Sequence, residues 1–238
     1  MNKFSHKGIK KKKLVTKLFN DIAQRYDFLN HVFSFGIDYY WRSRLVKLIK
    51  PLKNHHILDV ATGTGDVAFK LSPKSKYVTG IDIASNMIDL AKIKKTKKNA
   101  VNTNFLVGDA ENLPFDDNSF DIITISYGYR NISDRFKALS EFNRVLKSNG
   151  KLYILEFSEP TNFIVSPFYK FYSYKIMPLV ASIFSQKYAY DYLPESIDMF
   201  PNRKSLKNSI EKKGFKNVEF TDMTFGISTI FSAQKNEQ

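Results

Sequence analysis

Residues 57–68 read ILDVATGTGDVA: an apolar run carrying one acid, then two glycines one residue apart, then the start of a helical pattern. Glycine at positions 63 and 65 lets the backbone approach a ligand that a side chain would block. Asp82 closes the next β-branched run, and an acid at the tip of a second strand suits the two hydroxyls of a ribose, which need a two-lobed acceptor. Asp59 sits inside the first run and faces the loop, where a carboxylate opposes pyrophosphate but attracts an ammonium or sulfonium group. A third run ends in GDAENLPF, placing Asp109 and Ala110 beside the position of an adenine, a reading favoured over the plainer one in which Asp109 only caps a turn. Taken alone, Gly63, Gly65 and Ala68 also satisfy the dinucleotide pattern G-x-G-x-x-G/A, and Asp59 with the third run argues against that reading.

These residues need a scaffold, and the hydrophobic periodicity supplies one. Leu14, Leu18 and Ile22 recur at helical spacing and predict a helix to about Arg25, with a second over 39–49 stopped by Pro51. Residues 56–61, 78–83, 104–109, 120–126 and 151–158 are short β-branched runs bounded by Gly, Asp and Asn. Between them, Ser85 is expected to cap a helix with Met87, Ile88 and Ala91 on one face; Asp134 is expected to cap another with Phe136, Leu139, Phe142 and Leu146. Strands alternating with such helices form βαβ units, and the parallel sheet takes its ligand at the carboxyl ends of the strands. The alternation lapses over 160–197, which holds four prolines and dense aromatics; a helix over 204–213 and two runs at 215–224 and 226–234 follow, too close for a parallel crossover. The expected fold is α/β and Rossmann-like: a mostly parallel seven-stranded sheet with an antiparallel C-terminal hairpin. The expected division is a basic arm at 1–13 and one domain at 14–238, with a helical lid at 14–50 and an aromatic substrate-covering insertion at 160–200.

Composition excludes other chemistries. With 43% apolar and 15% aromatic residues among 238, the chain can bury a full core. The absence of cysteine removes thiol nucleophiles and Cys-ligated metals, and four histidines, two of them adjacent, argue against a metal enzyme. No apolar core follows the basic start and no apolar stretch approaches membrane-spanning length, so a cytoplasmic protein is expected. The net charge of +14 falls mostly in Lys10–Lys13 and Lys92–Lys98, without an aromatic-rich RNA-binding strand; it is read as solvated surface rather than a nucleic-acid site.

The loop, Asp82 and GDAENLPF together resemble the S-adenosylmethionine-dependent methyltransferases of the Rossmann-like class. In those enzymes the loop at Gly63–Gly65 cradles the methionine part, Asp82 holds the ribose and Asp109–Ala110 meet the adenine. YDFLNHVFSFGIDYYW (26–41), SYGYRNISD (126–134), RVLKSNGKLYILEFS (144–158) and residues 195–215 are further similar to the demethylmenaquinone and ubiquinone-precursor C-methyltransferases, over about Val15 to the end. The sequence departs from that family at Leu29, where Met is usual, at Asp38, where His is usual, and at Ser148–Asn149, where Pro–Gly is usual; Asp38 puts in doubt a catalytic role assigned to a histidine there. The resemblance implies S-adenosylmethionine as cofactor and a polyprenylated quinol as substrate. Its cofactor contacts would be Thr64, Asp82, Asp109, Ala110 and Ser126, beside Asp59, Gly63 and Gly65; Arg130 and Asn131 would activate or orient the substrate, with Tyr26 and Asp27 from the lid. Plainer roles compete: Arg130 pairing with Asp134, Tyr26 and Asp27 as a helix end, His31 as a surface residue. The aromatic segment at 163–192 suits a pocket for a polyprenyl chain, and a membrane-resident substrate implies transient contact with the bilayer surface. No nucleic-acid partner is expected, and a homodimer is left open.

Overall fold

The computed structural model describes residues 8–183 and 187–237, and its seven strands form one sheet in the order β3-β2-β1-β4-β5-β7-β6. Central β1 (His56–Val60) pairs in parallel with β2 (Tyr77–Asp82) and β4 (Phe120–Ser126). β3 (Thr103–Val107) and β5 (Leu146–Phe157) extend the parallel set on either side. β7 (Ser228–Lys235) then runs antiparallel to β5, and β6 (Phe215–Met223) forms the edge as the other arm of the hairpin. Chain order reverses between β1 and β4, and the crevice at their carboxyl ends is where such a sheet binds ligands. This is the expected mixed α/β architecture.

Both faces of the sheet are covered, which is why the inner strands read as continuous apolar runs. On one face α2 (Ile37–Ile49), α3 (Asp66–Leu71) and α4 (Ser85–Lys98) pack Leu45, Leu71 and Ile88 against Ile57, Val78 and Ile122. On the other, α5 (Arg135–Val145) and α9 (Arg203–Glu211) pack Leu139, Phe142 and Ile210 against Leu58, Ile123 and Ile154. Asp134 caps α5 as expected, accepting the Lys137 N–H at 3.0 Å.

Four local expectations change. Helix α1 runs from Gly8 to Phe33, because the stripe of Val15, Leu18 and Ile22 continues through Leu29 and Phe33 and packs on Ala84, Met87, Met177 and Tyr192. Lys10–Lys13 are therefore helical, and no break falls at residue 14. Ser85 is the first residue of α4 rather than its cap; Ala84 takes the cap position and donates its N–H to Asp82. Phe136 is exposed beneath Lys213, and Val145 fills the buried face instead. The aromatic segment is helical: α6 (Val165–Phe171), a π turn at 172–176, α7 (Met177–Ile183) and α8 (Lys187–Asp198) lie over the carboxyl end of the sheet with α1.

Candidate active site

The loops after β1, β2, β3 and β4 converge on one cavity, and α1 closes it with Lys12, Val15, Phe19 and Tyr26. Asp82 ends β2 at its floor, and its two oxygens accept the N–H groups of Gly63 and Ala84, each at 2.9 Å. Burial pushes the Asp82 carboxyl above its usual range, while those N–H bonds favour the ionised form. Two residues hold left-handed backbone where the chain leaves the sheet: Ala61 at φ 49° after β1 and Tyr127 at φ 58° after β4. Strain of this kind persists only where surrounding packing enforces it. Gly128 lies between those turns, where a Cβ would come within 2.4 Å of the Ala61 Cβ. Ser126 at the end of β4 has a buried hydroxyl without a hydrogen-bond partner among the described residues, and it faces this cavity. Asp109 accepts the Glu111 N–H on one oxygen and the Lys12 ammonium, at 2.5 Å, on the other.

Gly63, Asp82, Asp109, Ala110, Ser126, Tyr26 and Asn131 thus share one cavity wall, whereas Asp59, Thr64, Gly65 and Asp27 do not reach it. Asp59 is 1% exposed, between the hydroxyls of Thr62 and Thr124, which donate to it at 2.6 Å each; burial raises its pKa to about 6. Its carboxylate faces the loop after β1, which it braces through Thr62, and ties β1 to β4 through Thr124, but it does not reach the cavity. Thr64 donates to Asp27 at 2.8 Å, and Lys94 binds Asp27, Thr64 and Asp66 together. Asp27 is therefore a mid-helix residue that fastens α1 to the glycine loop and α4, neither a helix end nor a wall of the cavity. Gly65 packs under Phe69 and Phe105.

Arg130 belongs to a second cavity of about 330 Å³, lined from α1, α2, α6 and α8, which adjoins the first across Phe19, Tyr26 and Tyr127. Its guanidinium is 6% exposed and pairs with Glu156 of β5, not Asp134: Nη1 donates to Glu156 Oε1 at 2.7 Å and Nε to Ser196 Oγ at 3.1 Å. Burial works against the charge, but Glu156 together with Tyr192 and Tyr26 offsets it and the Arg130 pKa lies above its ordinary value. Nη2 has no hydrogen-bond partner among the described residues. Asn131 accepts the Tyr192 hydroxyl at 2.9 Å, and burial raises the Tyr26 phenol, which stays protonated at neutral pH. Asp38 is buried in a network with His31, Ser34 and Arg42, and His31 stacks on Tyr39 at 4.0 Å, so His31 is a paired residue and not a free surface one.

Residues 6–235 match the model of the ubiE/COQ5 methyltransferase family. The chain belongs to this family. Curated relatives include the ubiquinone/menaquinone biosynthesis C-methyltransferase UbiE of Geotalea daltonii, 44% identical with 99% of this chain and 100% of the relative covered. The protein of the same name from Rickettsia bellii is 42% identical over 98% of each. Among solved structures, an S-adenosylmethionine-dependent methyltransferase of Thermotoga maritima superposes at TM-score 0.67 with 19% identity, covering 93% of this chain and all of that one. Another from Aquifex aeolicus gives 0.61 with 20% identity, over 81% and 88%. They share the class I fold.

As a member of this family the chain is a methyltransferase with S-adenosylmethionine as cofactor. The first cavity suits it: Asp82 keeps lone pairs for ribose hydroxyls after its two N–H bonds, Ser126 holds an unused buried hydroxyl, and Gly128 leaves no room for a side chain. Two charged participants escaped the sequence reading. Glu156 had a signal, since an acid inside the apolar run KLYILEF must find a buried partner. Lys12 had none, as nothing in a lysine run says which member folds back onto Asp109 and Glu111.

Proposed function

We propose that the chain transfers the methyl group of S-adenosylmethionine to a ring carbon of demethylmenaquinol, giving menaquinol. The observation that carries this reading is the pair of adjoining cavities, one with Asp82 and Ser126, the other apolar with Arg130 buried in its wall. The names of the curated relatives support a quinone ring as acceptor.

When bound, the cofactor supplies an electrophilic methyl on a sulfonium. Asp82 would hold its ribose, and Asp109 with Ala110 would meet its adenine. A neutral hydroquinone carbon is a weak nucleophile, so a ring hydroxyl must lose its proton or its developing oxyanion must be stabilised. Arg130 keeps its charge and has Nη2 to turn toward that oxygen directly or through a water. Tyr26, a phenol at neutral pH, borders both cavities and can donate to the same ring, while Asn131 lines the first cavity and is held by Tyr192. Asp27 positions rather than reacts, by holding α1 on the glycine loop. The side chains of Phe33, Phe157, Phe168 and Tyr172 give the rest of the second cavity an apolar wall for a prenyl tail.

The test is to extract quinones from a strain lacking the gene. Demethylmenaquinone should accumulate; fully methylated menaquinone there, with no second methyltransferase present, overturns the reading. A ubiquinone precursor is the second acceptor the relatives' names favour. Purified enzyme offered each quinol with labelled cofactor separates the two.

A further inference from the structure

No described helix is long and apolar enough to cross a membrane, yet one helix of this chain is apolar on both sides. α6, the π turn and α7 run without interruption from Val165 to Ile183. The inner side carries Tyr169, Tyr172, Ser173 and Met177 into the second cavity. The outer side, with the residues just before it, leaves Phe163 83%, Phe168 73% and Phe171 61% exposed, with Ile164 also exposed. Scattered apolar side chains on a surface need no explanation, but consecutive turns of phenylalanine at the rim of a cavity do. Phe168 belongs to both sides, and Phe35 in the turn between α1 and α2 is exposed on the same rim, its ring 5.7 Å from that of Tyr172.

We infer that this outer face is a bilayer-docking surface that inserts its phenylalanines among anionic lipids. The charge pattern selects the occupant. Between residues 160 and 184 the only charged side chains are Lys170 and Lys175, both exposed, with no acid among them. A second copy of the chain meeting this face about a two-fold axis would set these lysines against themselves without a carboxylate from the segment to pair with. An anionic headgroup layer pairs with both, while aromatic side chains sit at the boundary of headgroups and acyl chains, the arrangement of an interfacial helix. The surface deepens the function proposed above, since a lipophilic quinol leaving the bilayer at this face enters the second cavity past Phe168. It also relocates the membrane contact from the lysine runs to the aromatic insertion: Lys11, Lys12, Lys94 and Lys95 are occupied inside the molecule.

The full chain, without quinol or cofactor, should co-sediment with sucrose-loaded vesicles of phosphatidylcholine mixed with phosphatidylglycerol, and more weakly with phosphatidylcholine alone. Phe163→Ser/Phe171→Ser, outside both cavities, should lower partitioning at least about tenfold on both vesicle types. Lys170→Gln/Lys175→Gln should lower it about fivefold per charge on the anionic vesicles only. Lys10→Gln/Lys13→Gln should partition as wild type. S-adenosylhomocysteine binding by calorimetry, unchanged in every variant, confirms that each is folded. Failure of wild type to bind vesicles, or full binding by the Phe163/Phe171 variant, overturns the inference. So does a dimer in sedimentation velocity that this variant dissociates, which would assign the face to a second copy. Because no methyl transfer is measured, none of these outcomes bears on the quinol reading.

Discussion

Arg130 and Glu156 can be separated into what they do for folding and what they do for reaction. Glu156 has no solvent exposure and accepts three protein donors: the Arg130 guanidinium, the Arg130 N–H and the Phe157 N–H. Replacing Arg130 by Met leaves that carboxylate buried without its counter-charge. Breaking such a pair costs about 3–5 kcal/mol, and the two remaining N–H bonds place this case near 3. With a denaturation slope of about 3 kcal/mol per M in urea, the midpoint should fall by about 1 M. In Arg130→Met/Glu156→Gln the charge is gone from both sides; the two backbone N–H groups bind different oxygens of Glu156, so an amide oxygen at the Oε2 position keeps the Arg130 N–H, the NH₂ can donate to the Tyr127 carbonyl that Arg130 vacates, and the Phe157 N–H loses its acceptor. The double variant should therefore recover part of that loss and unfold about 1–2 kcal/mol below wild type, since a buried ion pair replaced as a unit is often neutral while one orphaned N–H costs about 1 kcal/mol or more. Turnover should not return with stability. Loss of one oxyanion-stabilising donor lowers turnover about 10²- to 10³-fold, and both variants lack it. The assays are urea unfolding followed by fluorescence and methyl transfer from labelled cofactor to demethylmenaquinol. An unchanged midpoint for Arg130→Met refutes the pairing, and a double variant that regains turnover refutes the role of Arg130 in activation.

Other substitutions test the neighbouring assignments. Asp82→Ala should abolish S-adenosylhomocysteine binding in calorimetry, because it removes the ribose acceptor and releases Gly63 and Ala84 together; hydrogen bonds to a charged group contribute about 1.5–3 kcal/mol each, so a loss under tenfold contradicts the assignment. Asp59, with its folded pKa raised from 3.8 to about 6, binds its proton more tightly folded than unfolded, so its contribution to stability is present at low pH and is lost as pH rises from about 4 through 6. Asp59→Asn should remove that slope and gain about 1–3 kcal/mol at pH 7, the Thr62 or Thr124 hydroxyl turning to accept from the amide; an unchanged slope in unfolding free energy against pH would count against it. Gly128→Ala should cost about 1–3 kcal/mol in unfolding experiments and weaken cofactor binding, since its Cβ meets that of Ala61; wild-type values for both would show that the turns after β1 and β4 can part.

What could be read from the sequence depended on whether a residue's constraint was local. The strands were legible because short β-branched runs between glycine and aspartate follow from backbone chemistry alone, and the hairpin followed from the few residues between its strands. Asp82 and Gly63 were legible for the same reason: a strand tip and a tight turn need those residue types wherever the rest of the chain lies. Asp59 faces the loop through Thr62 as expected, but it and Asp27 stand outside the cavity, held also by Thr124 and Lys94, 65 and 67 positions away in the chain, and a carboxylate's spacing does not say whether it meets a ligand or a neighbouring element. The start of α1 was missed because Lys10–Lys13 present no apolar stripe. Their helix is completed by tertiary contacts, with Lys11 donating to the carbonyls of Arg130 and Ile132 at 2.9 Å each.

Those contacts give the charge excess a specific use. Lys11 is held against the loop that carries Arg130, and burial lowers its pKa to about 8, so the ammonium is costly there and the carbonyls it meets must be worth holding. Lys12, one residue on, binds the Asp109 and Glu111 carboxylates in the wall of the first cavity. Two turns later Phe19 reaches the boundary with the second cavity, followed by Tyr26 at the same boundary and Asn30 within the second. One helix thus touches the first cavity beside Asp109, the border between the two cavities, and the wall of the second. A displacement methylation depends on aligning two centres held by different parts of the fold, and alignment is lost if those parts move independently. A single rigid helix fastened at one end by lysines and at its middle by Asp27 to Thr64 and Lys94 couples them. Within the lysine run, Lys11 and Lys12 therefore serve the geometry of the site.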